Sequence, residues 1–175
     1  MIKMNAAYSL LIITLSLASV VLHSSGAKLT YADCLPGWIR FGDSCYNFRK
    51  ENVQWDKAVS LCRSNGGYLV EINSDAENDW VTSQVKERGF VFSWIGATDI
   101  KEEGKFRWEA SNEPLGNVPY FHDEQPDNRD KGEHCLEIDG GRGVYKWADD
   151  ECHFTKNFVC EKAMSVVVRI DEEWA

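Results

Sequence analysis

The stretch YFHDEQPDNRDKGEHCLEIDGGRGVYKWADDECHFTKNFVCE, residues 120–161, decides how this chain is read. Three short apolar segments stand out in it, at residues 135–138, 144–147 and 158–161, each bounded by Gly, Asp or Asn. Segments of that length and composition read as strands. Between and before them sit an amide and three acids, Gln125, Asp127, Glu133 and Asp149, with Cys135, Cys152 and Cys160 interleaved. Upstream, from residue 98 to residue 133, hydrophobic periodicity nearly vanishes and Gly, Pro, Asn and Asp accumulate. A connection that long without regular structure is uncommon in a compact domain and is commonly functional.

Working back toward the N-terminus, FVFSWIG (residues 90–96) has the composition of a buried strand. Ser74-Asp75-Ala76-Glu77 spells a capping box, so a helix carrying Trp80, Val81, Gln84 and Val85 starts there and stops at Gly89. Residues 68–72 form a further strand candidate. Trp55, Ala58, Val59 and Cys62 share one face at helical spacing, with Asn52 as the expected cap and Asn65-Gly66-Gly67 as the stop. Residues 34–48 read as a small hairpin. Two early helices, strands at both ends and a long irregular excursion between them make an α+β chain. Residues 163–175, with Val166-Val167-Val168 and Trp174, fall outside the pattern and suit an added strand, a contact in a homo-oligomer, or a loose tail.

The first 27 residues are set apart. Lys3 precedes an apolar run, YSLLIITLSLASVVL, and Ser25 and Ala27 are the small residues a signal peptidase favours, so residues 1–27 read as a secretory signal peptide. The run is shorter than the ~20 residues that span a bilayer, and no membrane insertion is expected. Cleavage there removes 27 of the 175 residues and one lysine, leaving 148 residues with a net charge of −10. So acidic a chain repels nucleic acid, which drops out as a partner. Six cysteines in an exported, extracellular chain imply three disulfides, for which arithmetic allows 15 pairings. There is no CxxC and no histidine spacing suited to a zinc finger.

Cys62, Trp94-Ile95-Gly96, Gln125-Pro126-Asp127, Glu133-His134-Cys135, Trp147-Ala148-Asp149, Cys152 and Phe158-Val159-Cys160-Glu161 together resemble a C-type lectin-like domain of the long form. The resemblance runs from Cys34 to Glu161, which places the domain at residues 28–163 and leaves 164–175 as a C-terminal tail. It implies the pairings Cys34–Cys45, Cys62–Cys160 and Cys135–Cys152. It also implies core roles for Trp94, Gly96 and Trp147.

The resemblance further implies a calcium ion held by Gln125, Asp127, Glu133 and Asp149, with a cis peptide bond before Pro126. Amide and carboxylate oxygens are the donors calcium takes. Two sugar hydroxyls would complete the shell, so the same four residues are the carbohydrate-binding set. In the family, Gln-Pro-Asp resembles galactose-type sites, because exchanging acid and amide reverses donor and acceptor directions at the hydroxyls. The implied partner is a galactose- or N-acetylgalactosamine-type glycan on cells or microbes, and the implied role is glycan recognition in innate immunity. An auxiliary calcium site is matched by Asp99 and Glu103, but its two remaining acidic positions are Asn128 and His134, so two negative charges are missing and the set Asp99, Glu103 and Asn128 should bind weakly.

Two positions depart from the pattern. Ala148 stands where the family usually has Asn, and Arg129 where galactose-type relatives often carry a stacking aromatic. Phe121, His122 and Tyr145 are the rings that could serve instead. These departures favour the alternative of a calcium-independent protein-interaction module with a degenerate sugar site. No GxSxG, HExxH or phosphate-binding loop is present, and the chain is not expected to be an enzyme.

Overall fold

A computed structural model describes residues 27–31, 33–129 and 132–170. The expected signal segment therefore lies outside the described residues, except for Ala27, and so does Trp174. Two units can be distinguished. In the first, β1 (Ala27–Tyr31) pairs antiparallel with β10 (Val166–Ile170), Ala27 opposite Ile170 and Tyr31 opposite Val166. The triple-valine segment is thus an added strand.

The second unit, Cys34–Met164, carries the α+β fold. Its N-terminal hairpin is β2 (Ile39–Phe41) and β3 (Ser44–Val53), and Cys34 is bonded to Cys45. Helix α1 (Trp55–Ser64) buries Trp55, Ala58, Val59 and Cys62, the four residues that share its apolar face. Its N-cap is Gln54, without a side-chain bond, rather than Asn52. Asn52 lies inside β3, and its Oδ1 accepts a hydrogen bond from Asn157 Nδ2 at 3.0 Å. Strand β4 (Tyr68–Leu69) is shorter than its apolar composition suggested.

Helix α2 (Asp75–Glu87) starts as the capping box requires on one side, with Ser74 Oγ accepting from Glu77 N at 3.2 Å. The reciprocal bond is shifted by one residue: Glu77 Oε2 accepts from Asn73 N at 2.8 Å, while Oε1 takes the Tyr46 hydroxyl at 2.6 Å. Strand β5 (Phe92–Thr98) follows, then β6 (Arg107–Trp108), β7 (Glu133–Asp139), β8 (Lys146–Glu151) and β9 (Lys156–Ala163). The sheet order is β2-β3-β9-β5-β7-β8, with β4 on β9 and β6 on β5. Between β6 and β7 the described chain contains only isolated bridges, Arg107 to Pro114 and Phe121 to Trp147.

Apolar side chains pack on both sides of the central strands. Tyr46, Val81, Ile95, Leu136 and Trp147 belong to one core cluster, and Trp55, Cys62, Leu69, Trp94 and Phe158 to another. Disulfides Cys62–Cys160 and Cys135–Cys152 tie α1 to β9 and β7 to the turn after β8, and all three pairings are those the family pattern implies. Charge is buried as well. Lys156 Nζ lies 2.7 Å from Glu137 Oε2, contacts Asp150, and sits 4.3 Å above the Trp94 ring.

Gly96 marks the tightest crossing in the core. A Cβ there would stand 2.4 Å from the Leu69 carbonyl oxygen, and Gly96 N already donates to Val70 O at 2.8 Å. Gly96→Ala is therefore expected to lower unfolding stability by about 1–3 kcal/mol, as overpacking of a fixed backbone does. A urea titration with an unchanged slope and a lower midpoint would show it.

Candidate functional site

The excursion before β7 is fastened to the core before it reaches the acids. Trp147 N donates to Tyr120 O and His122 N to Trp147 O, each at 2.9 Å, and Gln125 N donates to His122 O at 3.1 Å. The chain then turns through a cis Gln125–Pro126 bond, with Glu124 and Asn128 in left-handed backbone at φ 70° and 42°. Beyond it, β7 and β8 pair so that Leu136 faces Asp149 and Glu133 faces Glu151.

This framework gathers the four expected residues into one network. Asp149 Oδ1 accepts from Asp127 N at 3.0 Å and Oδ2 from Asn128 N at 2.9 Å. Gln125 Oε1 accepts from Asp149 N at 3.1 Å. Glu133 Oε2 accepts from Arg129 N at 2.7 Å, and Asn128 Oδ1 accepts from Glu133 N at 3.1 Å. One carboxylate oxygen each from Asp127, Glu133 and Asp149 lie within 4.8 Å of one another.

Three carboxylates that close repel one another. Burial, followed by the neighbouring Asp127 and Asp149, pushes the Glu133 carboxyl up to about 7, against the Arg129 N–H that favours its charged form. Burial also raises Asp149. The one cation paired with the trio among the described residues is Arg129, whose Nη2 is 3.6 Å from Asp127 Oδ2. Crowded hard oxygens with so little compensating charge are a donor set that fits a calcium ion. Gln125, Asp127, Glu133 and Asp149 would hold it.

The auxiliary residues separate. Asp99 and Glu103 come together with His134, whose Nδ1 is 3.0 Å from Asp99 Oδ1 and 3.4 Å from Glu103 Oε2. Asp99 Oδ2 is taken by Gly104 N at 2.8 Å. The Asn128 amide oxygen is spent on Glu133 N, in the main network. An imidazole thus stands among the two acids.

Trp147 is fully buried, with Trp108, Tyr120 and Phe121 packed around its ring, a structural role. His122 is buried too, its Nε2 3.1 Å from Asp139 O, which removes it as a stacking platform. The pairing of Arg129 with Asp127 had no signal in the sequence beyond proximity along the chain, whereas His134 meets Asp99 across 35 residues at the auxiliary positions the resemblance implies.

Residues 51–162, which include α1, α2 and every acid of this network, match the family model for the lectin C-type domain. The chain belongs to the C-type lectin domain family. This lectin domain is 34% identical over 132 residues to human C-type mannose receptor 2, a match covering 75% of the chain and 9% of that receptor. It is 31% identical to mouse asialoglycoprotein receptor 2, over 94% of the chain and 56% of the receptor. It therefore spans about half or less of these relatives. Among solved structures, the mouse scavenger receptor C-type lectin carbohydrate-recognition domain superposes with a TM-score of 0.68 at 31% identity, covering 76% of this chain and 100% of that one.

Proposed function

We propose that this lectin domain binds carbohydrate, of galactose type, through a calcium ion held by Gln125, Asp127, Glu133 and Asp149. The observation that carries the reading is the single network joining those four side chains, with three carboxylates inside 4.8 Å. The ion would supply a cationic contact for a pair of sugar hydroxyls. The chain's own contribution is orientation. Asp149 holds the backbone at Asp127 and Asn128, so the acid after Pro126 is presented in one position. Carboxylates gathered around a cation stay ionised and serve binding rather than proton transfer, so no catalytic role is assigned. We further propose that residues 1–27 are a cleaved signal, that 28–163 form the lectin domain, and that the protein acts outside the cell. No helix among the described residues is long and apolar enough to cross a membrane.

Isothermal titration of the disulfide-bonded domain with calcium, then with galactose and mannose, tests the proposal. Calcium uptake followed by galactose but not mannose binding is the expected result. Failure to bind calcium would end it.

A second reading has its own support. Arg129 leans on the Asp127 carboxylate, and Ala148 offers a buried methyl where an amide donor would reach a sugar. On that reading the domain is a protein-interaction module, and binding that survives EDTA distinguishes it.

The pH dependence follows from Glu133. Its carboxyl is raised to about 7 in the ion-free site, so a proton competes with calcium there. Affinity is complete above that value and falls as pH drops through it, by roughly tenfold per unit for one displaced proton. Calcium titrations at pH 7.5, 6.5 and 5.5 should show progressive weakening, with proton release on binding largest below pH 7. A flat profile would show that Glu133 is not a ligand.

A further inference from the structure

Strand β8 carries three acids in a row, Asp149, Asp150 and Glu151, and only the first joins the network with Asp127 and Glu133. Neighbouring residues on a strand point to opposite faces, and a shift of one residue exchanges them. Asp149, opposite Leu136, lies on the face of the network, and Asp150, opposite Cys135, lies on the other. The ladder does little to fix that choice. Between Glu133 and Cys135 the pairing of β7 with β8 is irregular, with one residue more in β7 than in β8, so the backbone bonds are locally disrupted there.

Asp150 is held by a cation instead. Lys156, at the start of β9, is only 6% exposed. Its Nζ contacts Asp150 Oδ2, stands 2.7 Å from Glu137 Oε2 and lies 4.3 Å above the Trp94 ring. One ammonium thus joins β5, β7, β8 and β9 on the face away from the network. Glu151 is engaged as well, its Oε2 3.2 Å from His153 Nδ1. Burying a cation with two acids costs desolvation that an apolar side chain would not, and in some proteins such groups serve to fix one arrangement.

We infer that Lys156 is a positioning residue for the calcium site: by holding Asp150 on the far face of β8, it leaves Asp149 as the acid presented to the ion. The inference rests on the calcium reading above. Lys156 lies outside the ligand set and acts through β8.

The variant that removes the hold is Lys156→Met with Glu137→Gln. It deletes one positive and one negative charge together, so the field at the site is nearly kept, and neutral replacement of a buried ion pair is often tolerated. Asp149→Asn is then made in the parent and in this variant, and calcium is titrated into all four proteins. In the parent, Asp149→Asn is expected to weaken calcium binding at least about tenfold, the size of one charge-assisted contact. In the variant it is expected to cost less than about threefold, because Asp150 is free to take its place. An equal loss in both backgrounds would overturn the inference.

Amide exchange in EDTA gives a readout without calcium. Asp127 N and Asn128 N are held by Asp149. Both should exchange about tenfold faster in Lys156→Met/Glu137→Gln, while amides between β3 and β9 keep the parent rate. A uniform rise across the sheet would make Lys156 a general brace of the fold and overturn its positioning role. A measurement on the parent covers a variant that does not fold. On calcium addition the NMR signal of the Asp149 carboxyl carbon should shift and that of Asp150 should stay, and equal movement of both would overturn the inference. If the parent takes up no calcium, the calcium reading fails, and the exchange rates alone decide whether Lys156 positions Asp149.

Discussion

Replacing Asp149 with alanine is expected to lower calcium affinity at least a hundredfold. The substitution removes one of the three clustered carboxylates and both acceptors that hold Asp127 N and Asn128 N. The lost carboxylate ligand, together with the loosening of the backbone that presents Asp127, is expected to weaken binding by roughly 3 kcal/mol, the size of one strong interaction with a charged group. That is more than two decades in a dissociation constant. Asp149→Asn keeps one oxygen and should fall between the variant and the parent. Urea unfolding in EDTA should change much less, because Asp149 fastens the excursion and belongs to neither apolar core cluster. Calcium uptake by Asp149→Ala at the parent affinity would place the ion elsewhere.

The largest effect on stability is expected from removing Cys62–Cys160 by a double change to alanine. The two residues are 98 apart in sequence, and a cross-link closing a loop near that length restricts the unfolded chain by about 4.7 kcal/mol in the chain-entropy account. Both cysteines are also buried in the cluster around Trp55 and Trp94, so some packing is lost as well. The Cys34–Cys45 bond, with a separation of 11, should cost less. Thermal and urea unfolding of the two double variants give the order directly. A smaller loss for the long loop than for the short one would contradict it.

The helices were legible because burial repeats along them. Trp55, Ala58, Val59 and Cys62 recur at the helical period, and Ser74 announces its own cap. The pairing of the cysteines and the gathering of Gln125, Asp127, Glu133 and Asp149 were legible by resemblance, since no local rule brings Asp149 of β8 back under the turn 22 to 24 residues before it. What escaped has physical reasons. Asn52 reads as a cap because its side chain suits one, yet β3 runs on through Val53 and Asn157 claims the oxygen. A two-residue ladder such as β6 has no period to detect. Nothing in the sequence marks Lys156 as buried, and only tertiary pairing with Glu137 and Asp150 makes its burial tolerable. The partner of Arg129 depends on how the turn after Pro126 comes to rest, which composition does not encode.

The pairing of β1 with β10 has a mechanical consequence. Pulling residues 27 and 170 apart loads the ladder at its open end, Ala27 with Ile170, so the hydrogen bonds would yield one after another rather than all together. Within Cys34–Met164, Ser44 pairs antiparallel with Ala163. There the covalent bonds intervene. On one side tension passes from Cys34 to Cys45, and on the other from Cys160 to Cys62. A tether attached to both ends would therefore bear on residues 45–62 and not on residues 63–159, which the Cys62–Cys160 bond closes off, and the network of Gln125, Asp127, Glu133 and Asp149 lies inside that closed loop.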